Sequence, residues 1–393
     1  MSNQITRLEQ ITKKFLELYK NSPTIWVRAP GRVDLMGSHT DYNHGFVMTM
    51  TIDRDTWIAA TPNSSKIISI YSMNFDEYRE INLNNLIPLP QNKKPLDWSD
   101  YIAGIAWVLK YYGYPVNGFK GVIHSNIPFG SGLSSSAALE MAISVLFESI
   151  DKYSIDSVEL AKMGQKAENS YVGVNCGILD QYSSLMGKKD SAILLDCRSI
   201  EGQLTPISPK LGIVIGNTKS ERNLIGTEYS DRRSQCEEGV KILKNYYPEI
   251  NALRDVSMDK LLKHSTELPS VVYKRCRFII EENQRVIELA KWLPKGDKKQ
   301  IEELFISSFI GARDLFEIVN PAMESMFNAM STGPGIVGVR QAGGGFGGCL
   351  IALVEKHFIE SFIDHVIENY TIATGIYPDV FSIKPSGGAE IMT

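Results

Sequence analysis

The first half of the chain alternates short apolar, β-branched runs with stretches of helical periodicity. Strands are predicted at 25–29, 46–52, 56–61, 66–72, 119–125 and 191–197, where such runs sit between turn-forming residues. Behind Ser134, residues Ala138, Met141, Ala142, Val145 and Leu146 step along one face at the spacing of an α-helix. Another helix is predicted from Asp156, with Glu159 completing a capping box, to about Tyr171. Near the N-terminus Ile5, Leu8, Ile11 and Phe15 recur at helical spacing, which predicts an amphipathic helix packed on the body.

In the second half a strand at 211–216 leads into helices near 229–247, 269–293 and 299–317. A hairpin-like pair follows at 336–341 and 349–354, then a helix near 357–370 and a last strand at 380–383. Glycine, proline and polar residues between Gly202 and Pro209 interrupt the pattern. This predicts two domains, 1–205 and 206–393, each α/β or α+β with a mixed sheet.

Composition narrows the function. A chain of 393 residues that is 43% hydrophobic can fill two cores. A net charge of −4 argues against nucleic acid or an anionic membrane as partner. No apolar run is long enough to span a bilayer. Glu9 and Glu17 stand among the N-terminal lysines without a small-residue cleavage site, so that segment reads as a helix, not a signal peptide. The five cysteines are scattered with no C-x-x-C pair, which excludes a usual zinc site and a disulfide framework. A reduced cytoplasmic protein is expected, in which the sequons at Asn63 and Asn369 carry no meaning.

Three glycine-rich segments hold the candidate chemistry. Gly31-Arg-Val-Asp-Leu-Met-Gly-Ser-His-Thr-Asp-Tyr-Asn-His-Gly45 crowds polar groups beside glycines just after a strand and reads as a loop that recognises hydroxyl groups. Residues 128–138, Pro-Phe-Gly-Ser-Gly-Leu-Ser-Ser-Ser-Ala-Ala, lie between a strand and a helix. Converging N–H groups and the helix N-terminus there suit an anion, and the serines suit phosphate or magnesium. A serine-capped helix after a glycine turn accounts for the same residues equally well. A P-loop is excluded, because G-x-x-x-x-G-K-[ST] is absent, and a dinucleotide fingerprint fits poorly. Gly343-Gly-Gly-Phe-Gly-Gly348 precedes a strand, so a tight turn that lets backbone approach a loop or nucleotide fits best. Glu168, inside a helix, and Asp180, after the Cys176-Gly177 turn, could be partly desolvated acids useful as base or metal ligand. An exposed helix acid and an N-capping Asp180 is the plainer alternative.

Together, in this order, the segments resemble the GHMP small-molecule kinases, and galactokinases above all. The resemblance runs almost end to end and includes Arg28 to Arg32, Pro128 to Ala138, Ala167 to Asn169, Cys176 to Gln181, Leu195 to Ser199, Gly226 to Arg233, Arg313 to Glu317 and Gly343 to Cys349. It implies a ribosomal S5 domain 2-like N-terminal domain and a ferredoxin-like C-terminal one, with the site between them. It further implies Asp180 as the catalytic acid–base group and Arg32 as its cationic partner. Gly130, Ser131, Gly132, Leu133, Ser134, Ser135 and Ser136 would cradle the ATP phosphates, and Ser136 and Glu168 would hold Mg2+. His39, Thr40, Asp41 and Tyr229 match sugar-contacting positions. The substrates implied are a free sugar and ATP, handled by a monomer or weak homo-oligomer.

The match breaks at Ser38, where galactokinases carry glutamate, and at Asp34, usually asparagine. Ser38 removes a charge at the end of the sugar that includes the C6 hydroxyl. Galactose with a water in place of the carboxylate, galacturonate, L-arabinose and N-acetylgalactosamine therefore stand as candidate sugars. A non-catalytic sugar sensor is disfavoured, because Ser134 to Ala138, Asp180 and Arg32 are intact.

Overall fold

A computed structural model describes residues 2–90, 96–174, 176–220 and 227–392. Gly226, the first residue of one quoted motif, lies outside them. The first half runs α1 (Ser2–Tyr19), β1 (Ile25–Met36), β2 (Phe46–Pro62), β3 (Ile67–Ser72), β4 (Glu77–Asn82), α2 (Trp98–Tyr111), β5 (Phe119–Ser125), α3 (Ser135–Asp151), α4 (Ser157–Ala167), α5 (Leu179–Met186), β6 (Ser191–Asp196) and β7 (Glu201–Pro206). The second half runs β8 (Leu211–Asn217), α6 (Thr227–Lys244), α7 (Met258–Lys263), α8 (Ser270–Trp292), α9 (Lys298–Asp314), α10 (Pro321–Ser331), β9 (Ile336–Gln341), β10 (Cys349–Glu355), α11 (Ile359–Thr374), β11 (Asp379–Ile383) and β12 (Glu390–Ile391).

Two mixed α/β layers result. The larger sheet has the order β12-β1-β2-β5-β3-β4, with β6 and β7 added beside the first half of β2. Its β3–β5 pair is parallel. The smaller sheet is antiparallel, in the order β11-β8-β10-β9. The tail after β11 crosses back, so that β12 pairs with β1 of the larger sheet. One continuous core joins the two sheets: Val33, Met48 and Ile52 from the first meet Ile213, Ile351 and Leu353 from the second, with Val286 and Leu289 of α8. Apolar burial of that extent resists sliding of one layer over the other.

Several elements differ from the sequence reading. The strand expected at 25–29 continues to Met36, and those expected at 46–52 and 56–61 are one long strand. Arg32 and Asp34 thus stand on a strand, not in a loop. Gly31 marks a register shift between Pro30 and Arg32, and a second shift falls between Asp34 and Met36; both bend β1 against β2. The helix expected to reach Tyr171 stops at Ala167 and passes into a wider turn at Glu168–Val172. Asp156 caps it as expected, accepting from the N–H groups of Val158 and Glu159. In α1, Ile11 and Phe15 are buried while Leu8 remains exposed. Nothing in the periodicity announced α2, β4, β7 or α10. Helix α2 is apolar around most of its circumference because α3 and α4 both cover it, which erases the one-sided stripe.

Candidate active site

The site forms where β1, the 128–134 loop and the turn before α5 converge. Strand β1 passes so close to the phosphate loop that a Cβ on Gly31 would lie 2.5 Å from the Leu133 carbonyl oxygen. The next residue uses that approach: Arg32 donates from its backbone N–H to Leu133 (3.2 Å) and from Nη1 to the Gly132 carbonyl (2.8 Å). Its Nη2 meets Asp180 Oδ1 at 2.5 Å, and its Nε lies 3.3 Å from Asp34 Oδ1. Burial works against the Arg32 charge, but Asp180 and Asp34 raise its pKa. Burial also raises Asp34, against the pull of Arg32.

Ser134 is not the helix cap of the plainer alternative. Its backbone is left-handed (φ 58°), and its side chain does not cap α3. The hydroxyl instead donates to Asp180 Oδ2 at 2.6 Å. Asp180 in turn does not cap α5 but sits in its first turn, behind Ile178. One carboxylate is thus held by an arginine of β1 and a serine of the 128–134 loop. Gly130 and Gly132 adopt the positive φ of the loop, and Ser131 Oγ closes it onto the Pro128 carbonyl. Leu133 is buried beneath it, and Ser135 and Ser136 open α3.

Beside Asp180 lies a buried acidic cluster that the sequence reading grasped only in part. Glu168 begins the wide turn after α4. Gln181 Nε2 bridges Glu168 Oε2 (2.7 Å) and Glu140 Oε2 (2.9 Å), and Cys176 Sγ lies 3.2 Å from Glu168. Glu140 is on α3, one turn after Ser136 and on the same face. Burial, reinforced by Asp180, raises Glu168 to about 7, and burial with Glu168 raises Glu140 well above the carboxylate range. Desolvation and the same acids push the Cys176 thiol up. Glu140 Oε1 and Gln181 Oε1 are buried without a hydrogen-bond partner.

A cavity of about 350 Å³ opens beside Asp180, lined by Arg32, Asp34, Ser38, His39, Asp41, Glu168, Tyr229 and the 343–346 turn, among others. Its size falls at the small end of ligand pockets. His39 Nε2 is 2.9 Å from the Gly344 carbonyl and Nδ1 is 2.8 Å from Tyr42 Oη, so Nε2 carries the proton and the tyrosine donates to Nδ1. Burial lowers His39 to about 4 and raises Asp41 to about 6. Tyr229, on α6, packs its ring 5.1 Å from that of His39. Thr40 is absent from the cavity wall: its hydroxyl is within 2.7 Å of both the Gly37 and the Phe46 carbonyls and closes the loop. Ser38 reaches the wall, but its hydroxyl donates to Gly343 O (3.0 Å) and accepts from Arg340 Nη2 (2.8 Å).

Sequence reasoning also passed over an aromatic group beside the phosphate loop. Phe129, half exposed, lies 5.0 Å from Phe75, which stacks on Trp98. A bulky phenylalanine inside a glycine–serine loop was the available signal. A larger groove of about 760 Å³, between Trp57, Ile213 and the 382–387 tail, contains none of the candidate residues.

Comparison with known proteins gives this geometry its setting. Residues 100–188 match the GHMP kinases N terminal domain, and residues 13–62 match the galactokinase galactose-binding signature. The structure of Methanococcus jannaschii mevalonate kinase is similar in fold, with a TM-score of 0.63 at 16% identity over 94% of this chain and 100% of that one. The molecule therefore has the two-domain GHMP kinase fold. A galactokinase of Roseiflexus sp. (strain RS-1) is 35% identical over 379 residues, 96% of either chain. Lactococcus lactis galactokinase complexed with galactose superimposes with a TM-score of 0.91 at 31% identity, covering 98% of this chain and 99% of that one. The chain belongs to the galactokinase family.

Proposed function

We propose that the chain is an ATP-dependent sugar kinase that transfers a phosphoryl group to the anomeric C1 hydroxyl of galactose, giving galactose 1-phosphate. The observation that carries this reading is Asp180, paired at once with Arg32 and with Ser134, between the polar cavity and the phosphate loop. Phosphoryl transfer needs in-line positioning and charge neutralisation more than covalent chemistry. Asp180 accepts the hydrogen bond of the C1 hydroxyl and takes its proton as the O1–P bond forms and the bond to the ADP leaving group breaks. Arg32 keeps Asp180 in place and offsets charge on the transferred group. The sugar lies among Ser38, His39, Asp41 and Tyr229, with Thr40 shaping the loop from behind. Residues 130–136 hold the phosphates, and the exposed Phe129–Phe75 pair offers the adenine a stacking face. The work divides between residues 1–205, with the sugar and phosphate loops, and 206–393, with the glycine turn.

The residues present suit Mg2+. Ser136 and Glu168 offer a hydroxyl and a carboxylate near residues 130–136, and the buried Glu140 and Gln181 oxygens beside them have no hydrogen-bond partner among the described residues. One or two protein oxygens completed by nucleotide phosphates is the usual magnesium arrangement. When bound, the ion would neutralise charge on the phosphate oxygens.

ADP release with Mg-ATP, compared for galactose, galacturonate, L-arabinose and N-acetylgalactosamine, tests the reading. Galactose is expected to give the highest kcat/KM. Release of ADP with none of these sugars above background overturns it.

A further inference from the structure

The loop between β1 and β2 is held from outside the cavity by two consecutive residues of α8. Glu282 Oε1 accepts from the backbone N–H groups of Gly37 (3.0 Å) and Ser38 (3.3 Å) at one end of the loop. Asn283 Oδ1 accepts from the N–H of Phe46 (2.7 Å) at the other end. Between these two anchors the chain carries Ser38, His39 and Asp41 to the cavity wall.

The acid that makes the first anchor is itself fixed on every side. Arg340 Nη2 donates to Glu282 Oε1 (2.9 Å), Arg285 Nε to Oε2 (2.8 Å) and Ser308 Oγ to Oε2 (2.8 Å). Arg340 Nε meets Ser308 Oγ at 3.0 Å, and its Nη2 also donates to Ser38 Oγ. Ser38 passes the chain of bonds on to the Gly343 carbonyl, at the start of the glycine turn that forms the opposite wall. Glu282, Ser308 and Arg340 have no exposed surface and stand outside the cavity. Burial alone would raise Glu282, but the two guanidinium groups and the Gly37 N–H pull it down to about 2.

We infer that Glu282 and Asn283 are positioning residues for sugar binding: helix α8 clasps both ends of the 37–46 loop, and Arg340 ties that clasp through Ser38 to the 343–346 wall. The inference rests on the reading that this loop receives the sugar. None of the clasp's hydrogen bonds involves the 130–136 loop. Loosening the clasp therefore disorders the sugar groups and leaves the nucleotide seat intact.

Galactose and ATP titrations, with steady-state kinetics, on the wild type, Asn283→Ala, Asn283→Asp and Ser308→Ala test this. Asn283→Ala leaves the Phe46 N–H unmet and is expected to raise KM for galactose about tenfold, with KM for ATP changed less than about twofold. Asn283→Asp keeps an acceptor oxygen and is expected to restore most of the galactose affinity. Ser308→Ala, which removes one buried hydroxyl, is expected to raise galactose KM by about threefold through Glu282. Unchanged galactose KM in both truncations overturns the clasp, as does a parallel rise in both KM values. Failure of the wild type to bind galactose at all overturns the underlying sugar-site reading instead.

Discussion

Two regions with buried glutamates flank the same cavity and behave in opposite ways. Glu282 has two guanidinium groups, a serine and two backbone N–H groups around it, and its pKa falls to about 2. Glu168 is buried to a similar degree but has an amide bridge to a second acid, a thiol and Asp180 nearby, and its pKa rises to about 7. The difference shows that burial does not set the state of an acid; the partners supplied by the fold do. The Glu282 region is electrostatically complete and acts as a scaffold. The Glu168 region crowds two acids, Glu168 and Glu140, with no cation among their hydrogen-bond partners in the described residues, so burial and mutual repulsion raise their pKa values.

The sharpest check on this contrast is Asp180, which borders the acidic region and lines the cavity. Asp180→Asn is expected to lower kcat by about a thousandfold while ATP affinity stays within a few-fold, measured by single-turnover assay and nucleotide titration. A next, smaller effect separates the two glutamates by stability. Glu282→Ala strands two buried guanidinium groups and is expected to cost about 3–5 kcal/mol in chemical denaturation. Glu168→Gln removes a poorly compensated charge and is expected to change stability by less than about 1 kcal/mol while abolishing turnover. Equal destabilisation by the two would break the comparison.

Acid titration probes the cavity wall between the two regions. His39 stays neutral when folded until pH falls to about 4, whereas the unfolded chain protonates it from 6.5 downward. Its contribution is therefore complete above 6.5 and is lost as pH falls toward 4. Relative to His39→Gln, the wild type is expected to lose about 3 kcal/mol of stability across that window. A constant difference between the two proteins would remove the argument for a buried neutral imidazole. The smallest effect concerns Ser38. Ser38→Glu sets a carboxylate beside Arg340 and is expected to raise kcat/KM for galactose by about two- to fivefold over the other sugars. An unaltered ranking would detach residue 38 from specificity.

Much of the architecture was legible locally. The step of Ala138, Met141, Ala142, Val145 and Leu146 marks a helix that the fold buries on that face, and the strand at 119–125 appears with those bounds. Glycine placement also spoke clearly, since a close approach such as that of Gly31 to Leu133 admits no side chain. It misled only in suggesting a loop where β1 bends and continues. Helix α2 stayed hidden because burial on several sides leaves no periodic stripe.

By its own pattern, then, the sequence determined helix α3, the strands β5, β8, β9 and β10, the three glycine segments and the residue types that meet at Asp180. These are short-range properties, set by side-chain spacing and backbone freedom. Tertiary structure alone decided that Ser134 turns to Asp180 instead of capping α3, that Thr40 faces away from the cavity, and that Glu282 reaches the sugar loop across 245 residues. In sequence, Glu281-Glu282-Asn283 looks like any solvated helix face. Only when α8 packs against β1 and β2 does burial remove water from Glu282, and only then do Arg340 and the loop N–H groups define what it does.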